Sequence, residues 1–117
     1  MYVSAFILAV PEGNKDAYRK TAEQFWPIAK DFGALSQIEA WEANVTDGKT
    51  TDFRRAVKAE KGEKIVFSWI TWPDKAAADK FEAEMDQDPR MAEFGEMPFD
   101  GSRMVFGGFE AFVEQHA

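Results

Sequence analysis

Three side chains have the type and position to do chemistry: one carboxylate and two guanidinium groups. Glu39 lies among apolar neighbours in a predicted strand, so an inward-facing Glu39 could act as a general base. Arg90 and Arg103 flank one loop, and an arginine can hold a carboxylate or an enolate through two parallel hydrogen bonds. Structural alternatives stay open. Glu39 could face outward or pair with an arginine. The two arginines could instead fix the loop through salt bridges to Asp88 and Asp100.

A second group of residues could line a cavity for a small molecule. The candidate ligand-binding residues are Trp41, Ser68, Trp69, Phe99 and Phe109. A serine in the middle of a strand can hydrogen-bond a ligand, and aromatic side chains can form apolar walls. At strand spacing, the same residues are equally suited to a plain core or to a dimer interface. The sequence alone leaves these alternatives open.

The composition excludes several other kinds of chemistry. The absence of cysteine removes disulfides, thiol catalysis and thiolate metal sites. The one histidine, His116, is next to the C-terminus, where a solvated side chain is expected rather than a haem or zinc ligand. Gly107 and Gly108 precede no helix, so they form no phosphate-binding loop. They indicate a bulge, a close backbone approach or space for a ligand. We therefore expect no metal and no cofactor.

Charge and hydropathy bear on partners and location. Fourteen basic and twenty-one acidic residues give a net charge of −7, which disfavours nucleic acid and anionic membranes as partners. The apolar opening Met1–Val10 has no basic flank and is too short for a signal peptide, and no later run is long enough to span a bilayer. We expect a single cytoplasmic domain over residues 1–117.

The elements that must position these residues follow from apolar periodicity. Strands are predicted at 2–10, 35–45, 63–72 and 103–113, and a short strand is possible at 53–59 within a polar excursion over 46–61. An apolar stripe predicts a first helix over 15–32, with a kink or restart at Pro27 and a stop at Gly33. Pro73 opens a second helix, with Asp74 in its first turn. Asp88 is the expected cap of a further short turn that begins at Pro89.

This order of elements, βαββαβ, predicts an α+β fold, a ferredoxin-like sandwich of four antiparallel strands with both helices on one face of the sheet. The first and third strands are apolar on both faces, although the two helices can cover only one of them. An exposed apolar sheet face needs a cover, and a second copy of the same sheet is the simplest one. We therefore expect a homodimer that forms through the open sheet face.

Several segments also carry a family resemblance. They are Gly33-Ala34-Leu35, Glu39-Ala40-Trp41, Val66-Phe67-Ser68-Trp69-Ile70, Trp72-Pro73-Asp74-Lys75, Asp88-Pro89-Arg90-Met91, the run Met97–Met104 and Gly107-Gly108-Phe109. Over nearly its whole length the chain resembles the small bacterial YbaA-type proteins. That domain-of-unknown-function group belongs to the dimeric α+β-barrel superfamily, alongside antibiotic-biosynthesis-type monooxygenases. The resemblance implies the fold and a dimer, but no activity.

The functional expectation is a small dimeric barrel that binds an apolar or aromatic small molecule between sheet and helices. An enzyme of this kind would work without a cofactor, as a monooxygenase acting on an electron-rich aromatic or as a proton-transfer isomerase. Glu39 would be the base, Arg90 or Arg103 would hold the anion, and Trp41 with other aromatic residues, Trp69 and Phe99, would form the walls. The alternatives are a non-enzymatic ligand sensor and a structural interaction protein with a filled interior.

Overall fold

The computed structural model describes all 117 residues, which form four strands and three α-helices. The strands are β1 (Tyr2–Pro11), β2 (Ser36–Trp41), β3 (Glu63–Trp72) and β4 (Val105–Glu110). The helices are α1 (Lys15–Asp31), α2 (Phe53–Ala56) and α3 (Lys75–Glu84). Short 3₁₀ turns occupy Glu12–Asn14, Met85–Gln87, Pro89–Glu93 and Gly101–Arg103.

The four strands form one antiparallel sheet in the order β2-β3-β1-β4. The long central pair, β1 and β3, runs in register from Tyr2 opposite Trp72 to Pro11 opposite Glu63. Because each central strand has a neighbour on both sides, its backbone groups are paired and both of its faces can be apolar. The predicted α+β class with a four-stranded antiparallel sheet is confirmed.

Both long helices pack on the same face of this sheet. The main core cluster joins sheet residues to residues of α1 and α3; it contains Tyr2, Ile28, Ala29, Ala34, Ile70, Trp72, Ala78 and Phe81. Trp72 is fully buried, and its indole N–H donates to Ser4 Oγ at 3.1 Å. Buried Trp side chains usually need such a partner, so this bond fixes the side chain at the centre of the core.

The opposite face of the sheet carries apolar side chains with much less cover. We define this open face by the outward residues of the four strands: Val3, Ala5, Ile7, Ala9, Ile38, Ala40, Ile65, Phe67, Trp69, Thr71, Val105, Gly107 and Phe109. One end is covered, because Val57, which follows α2, is buried against Ala9 and Ile65. Elsewhere Phe67 is 40% exposed and Phe109 is 61% exposed.

The excursion between β2 and β3 contains a short helix, so the prediction of a short strand near 53–59 is wrong. Asp52 caps this helix by accepting a hydrogen bond from the backbone N–H of Arg55 at 2.8 Å. The same carboxylate accepts from the N–H of Gly48 at 3.0 Å, which ties the preceding loop to the helix. These local bonds satisfy backbone groups that a strand would have to pair with a neighbour.

Several predicted element ends also shift for local reasons. Asp74 was predicted to lie in the first turn of the second helix. It is instead the N-cap of α3, where its side chain accepts from the backbone N–H of Ala77. The last strand is shorter than predicted, because residue 110 pairs with the first residue of β1 and no strand partner extends beyond it. The first helix runs unbroken through Pro27 with no restart. It ends, as predicted, before Gly33, whose φ of +103° suits a glycine.

Candidate functional site

A cavity of about 510 Å³ lies between the helix-facing side of the sheet, the two long helices and the loop before β4. Fifteen of its 21 lining residues are hydrophobic, so an occupant would meet mainly apolar surface. The sheet and helices contribute Ser4, Phe6, Leu8, Tyr18, Thr21, Ala22, Phe25, Gln37, Glu39, Ser68, Ile70, Trp72, Phe81, Glu82 and Met85. The loop before β4 forms the remaining wall, which we call the loop wall. It contributes Met91, Phe94, Met97, Phe99 and Met104, and Phe106 of β4 completes the lining.

The loop wall is held in place at its first end by Arg90. Asp88 caps the turn at Pro89 by accepting from the backbone N–H of Arg90, as predicted. The Arg90 side chain returns two hydrogen bonds to Asp88, at 3.0 and 2.8 Å, and donates a third to Asp31 at the end of α1 at 2.8 Å. The guanidinium and the backbone N–H of Arg90 lower the pKa of Asp88 from 3.8 to about 2.

Arg103 holds the other end of the same loop. Its two terminal nitrogens donate to both oxygens of Glu63 at 2.8 Å each, and its Nε donates to Asp100 at 3.0 Å. The bidentate bond to Arg103 lowers the pKa of Glu63 despite the burial of that carboxylate. Arg90 and Arg103 therefore form salt bridges to Asp88 and Asp100. This is the structural role that the sequence left open beside the holding of a ligand anion. Neither arginine lines the cavity.

The polar end of the cavity is built around Glu39. Its Oε1 accepts from the phenolic hydroxyl of Tyr18 at 2.6 Å. Its Oε2 accepts from Ser68 Oγ at 2.8 Å and from Gln37 Nε2 at 3.1 Å. We call these four residues, Tyr18, Gln37, Glu39 and Ser68, the Glu39 cluster. Glu39 itself is exposed, so it lies at the rim of the cavity rather than deep inside it.

Tyr18 supplies the helix side of the Glu39 cluster. The residue is buried, with 9% of its surface exposed. Burial, together with the charge of Glu39 and the hydrogen bond to it, raises the pKa of Tyr18 well above its ordinary value of 10.0. All three effects favour the neutral phenol. At neutral pH Tyr18 is therefore a fixed hydrogen-bond donor and not a phenolate base.

Gln37 joins β2 to α1 next to this pair. Its Nε2 donates to the backbone carbonyl of Ala22 at 3.2 Å as well as to Glu39. Because both neighbours are acceptors, the amide nitrogen must face them. The amide oxygen, Oε1, is then left buried without a hydrogen-bond partner. Gln37 therefore ties β2 to α1 through its amide nitrogen alone.

A groove of about 730 Å³ lies on the other side of the Glu39 cluster, between α1 and β2. Four residues line both the groove and the cavity: Tyr18, Ala22, Gln37 and Glu39. Trp41 lies in the groove, with the Lys15 ammonium 5.1 Å from the centre of its ring. The hydrogen bonds between α1 and β2 thus form the partition between the two spaces.

The structure separates the predicted ligand-binding residues into three places. Ser68 and Phe99 line the cavity, and Trp41 lies in the adjoining groove. Trp69 lies on the open face, opposite Ala5 and Ile38. Phe109 also lies there, opposite Val3. Strand alternation explains the separation, because Ser68 and Trp69 are consecutive and must point to opposite faces.

Of the two glycines of β4, only Gly108 makes room for another side chain. The ladder between β1 and β4 is regular through both positions, so there is no bulge. A Cβ atom at Gly108 would lie 1.7 Å from the phenolic oxygen of Tyr2. A Cβ atom at Gly107 would meet only the ring of Phe109, at 3.4 Å. Gly108 therefore allows the Tyr2 ring to lie across the strand.

Sequence reasoning missed two members of the Glu39 cluster. Tyr18 belongs by its spacing to the apolar stripe that predicts the first helix, and nothing in the predicted second strand distinguishes Gln37. The spacing contained a signal: Gln37, Glu39 and Trp41 alternate along β2 and so share the helix-facing side. A hydroxyl-bearing residue within an otherwise apolar stripe, such as Tyr18, was the second signal, since a buried phenol needs a partner.

No three His, Cys, Asp or Glu side chains are grouped in a way that could hold a metal ion. His116 is exposed in the C-terminal tail, 3.0 Å from the carboxylate of Glu114. None of the helices has the length and apolar character needed to cross a membrane.

Comparison with known proteins identifies relatives without a stated activity. A family described as "Protein of unknown function (DUF1428)" matches residues 1–101. The chain is 54% identical over 115 residues to "Uncharacterized protein YbaA" of Escherichia coli (strain K12), a match that covers 97% of this chain and 98% of the relative. The Shigella flexneri protein of the same description matches to the same extent.

Proposed function

The chain belongs to the family of proteins of unknown function DUF1428, and we propose from its cavity that it binds an apolar or aromatic small molecule between the sheet and the helices. The observation that carries this proposal is the apolar cavity of about 510 Å³ with one polar end. Ligand sites typically have volumes of about 300–1,000 Å³, mainly apolar walls and a few converging polar groups.

The loop before β4 supports the same proposal. Arg90 ties it to α1 through Asp31, and Arg103 ties it to β3 through Glu63. Between these anchors the loop directs Met91, Phe94 and Phe99 at the cavity. Methionine and aromatic side chains adapt to ligands of different shape. The loop is then the fourth wall of a binding site, with its ends fixed by ion pairs.

We propose Glu39 as the base if the bound molecule is turned over. Its carboxylate is oriented by three side-chain donors and lies at the cavity wall. A positioned carboxylate suits proton abstraction in an isomerisation, or in cofactor-independent oxygenation of an electron-rich aromatic. The anion-holding role predicted for Arg90 and Arg103 is harder to support, because both are engaged in ion pairs outside the cavity. A non-enzymatic sensor would use the same cavity without turnover.

We also propose that the sheet and helices form a ferredoxin-like sandwich and that two copies pair through the open face. The strand order β2-β3-β1-β4 and the element order βαββαβ support the first proposal. The exposure of Ile38, Phe67 and Phe109 supports the second. From the sequence alone, we further propose a cytoplasmic location, with neither nucleic acid nor membrane as a partner.

The test is thermal unfolding across a panel of aromatic, quinone, amine and carboxylic-acid metabolites. A ligand that binds only the folded chain should add about 2.7 kcal/mol of stability at a hundred times its dissociation constant, which raises the unfolding midpoint clearly. Absence of any shift across a broad panel would contradict ligand binding. It would favour the structural alternative, in which the loop before β4 serves only to lock the fold.

A further inference from the structure

Every hydrogen that the Glu39 cluster can donate is already used. Tyr18 and Ser68 each carry one hydroxyl hydrogen, and both are donated to Glu39. Gln37 carries two amide hydrogens, one donated to Ala22 O and one to Glu39. Glutamine and hydroxyl side chains have no other donors. The polar end of the cavity can therefore only accept hydrogen bonds from an occupant.

The acceptors left over are well defined. The amide oxygen of Gln37 has no partner, but it is enclosed by the protein and is out of reach of an occupant. A carboxylate offers about four lone-pair sites, and Glu39 accepts three hydrogen bonds, which leaves one site free. Glu39 therefore carries the accessible acceptor, so an occupant that brings a donor gains more there than one that brings an acceptor.

The charge of the site points in the same direction. None of the ion pairs in the chain involves Glu39, so no cationic side chain lies within 4.0 Å of its carboxylate. A second carboxylate, Glu82, also lines the cavity. Arg90 and Arg103 are paired with carboxylates elsewhere. The lining of the cavity thus contains negative charge and no cationic side chain, whereas Lys15 and Arg19 line only the groove on the other side of Glu39.

The walls next to the Glu39 cluster suit a cation on an apolar body. The rings of Phe99 and Tyr18 meet edge to face with their centres 5.7 Å apart. Phe25 and Phe94 continue the aromatic wall towards α3, with ring centres 6.5 Å apart. Aromatic faces attract ammonium groups and also pack against apolar or aromatic ligands.

We propose that the ligand is an aromatic or alkyl amine whose protonated amino group binds the Glu39 cluster and whose apolar body fills the cavity. The ammonium donates to the free lone pair of Glu39, and it supplies a counter-ion that no residue lining the cavity provides. This inference rests on the proposed function and specifies the chemical class of its ligand. It is opposite in sign to the anion that Arg90 and Arg103 were expected to hold.

Four compounds of nearly equal shape test this inference by calorimetric titration at neutral pH: ethylbenzene, 2-phenylethanol, 2-phenylethylamine and phenylacetate. We expect the amine to bind at least about tenfold more tightly than the alcohol, since hydrogen bonds to charged groups are the stronger ones. We expect phenylacetate to bind most weakly, because its carboxylate would face Glu39. The ranking uses the unaltered protein and depends on no variant.

Glu39→Gln provides the second arm of the test. It should weaken amine binding by about tenfold and leave ethylbenzene binding unchanged. Glu23→Gln is the matched control, because it removes the same charge from the groove side of α1, outside the cavity. A control variant that weakened amine binding equally would assign the effect to overall charge and overturn the inference.

The outcomes separate this inference from the proposed function. Binding of ethylbenzene with no preference for the amine, or with equal binding of phenylacetate, would overturn the amine assignment and leave the proposed function in place. Binding of none of the four compounds, ethylbenzene included, would contradict the proposed function itself. Amine preference that disappears in Glu39→Gln, but persists in Glu23→Gln, is the result that supports the assignment.

Discussion

Glu39 and Ser68 lie directly opposite each other on β2 and β3, and Ser68 Oγ donates to Glu39 Oε2 at 2.8 Å. This pair places polar atoms on the helix-facing side of the sheet, beside Gln37 of the same strand. Tyr18 closes the pair from α1. One strand-to-strand register therefore determines where the polar end of the cavity lies, and a one-residue slip of β2 would turn Glu39 to the open face.

Tyr18→Phe should destabilise the chain by about 1–2 kcal/mol, because it removes one donor from a carboxylate without changing the packing of the ring. Tyr2→Phe is the matched control. Tyr2 is as deeply buried as Tyr18, and no hydrogen bond of its side chain is present, so its change should be near zero. Urea unfolding of both variants measures the difference. Equal losses would show that the bond between Tyr18 and Glu39 contributes nothing.

The raised pKa of Tyr18 predicts a loss of stability in alkali. Above about pH 10 the unfolded chain releases the phenolic proton, while the folded chain still holds it. Stabilisation from this group is therefore complete below pH 10 and falls as the pH rises beyond it. Tyr18→Phe should show a smaller fall than the unaltered chain between about pH 9.5 and 11. Parallel curves for the two proteins would contradict this prediction.

Gly108→Ala should cost about 1–3 kcal/mol, because the added methyl would overlap the phenolic oxygen of Tyr2 and force the ring out of its place. Gly107→Ala, one residue earlier in the same strand, meets only ordinary contacts with Phe109 and should be close to neutral. Thermal unfolding of the two variants provides the comparison. Equal midpoints would show that Tyr2 moves aside freely.

Asp88→Asn should remove an acid-dependent part of the stability of the loop wall. The pKa of Asp88 is held at about 2, mainly by the side chain of Arg90. Its contribution is complete above about pH 4 and is lost as the pH falls towards 2, since the unfolded chain takes up the proton first. The variant should therefore unfold with a flatter pH dependence between 4 and 2. Asp86→Asn, which removes a carboxylate from an exposed neighbour that forms no ion pair, is the control.

Phe67→Glu should convert a dimer to a monomer if two copies pair through the open face. Phe67 lies on the open face between Ile7 and Ala40, and 40% of it is exposed. A buried carboxylate at an interface of this kind has no partner and carries a large desolvation cost. Phe112→Glu, in the tail and 95% exposed, is the control. Sedimentation of the unaltered chain as a monomer at micromolar concentration would contradict the dimer directly.

The sequence was sufficient where the pattern was regular and local. The alternation along 63–72 predicted β3 with its observed ends, and the apolar stripe within residues 15–32 predicted α1. The same alternation put Glu39 and Trp41 on one face of β2 and Ile38 on the other. Capping residues were also readable, since Asp88 caps the turn at Pro89 as expected.

The site itself could not be read from the sequence because it depends on contacts between distant segments. Arg103 pairs with Glu63, forty residues earlier, and this pairing keeps the arginine out of the cavity. Tyr18 reaches Glu39 only because α1 lies across β2 at a particular rotation. The volume left between aromatic side chains likewise depends on packing, which periodicity does not determine.

The most direct test of the account is a calorimetric titration of ethylbenzene into the unaltered chain, into Ala22→Phe and into Ala17→Phe. Ala22 lines the cavity, so its larger replacement should fill the space, whereas Ala17 is exposed on the same helix. We expect ethylbenzene to bind saturably to the unaltered chain and to Ala17→Phe, and we expect Ala22→Phe to lose that binding. Binding that survives unchanged in a folded Ala22→Phe would place the ligand elsewhere and contradict the assignment of the cavity.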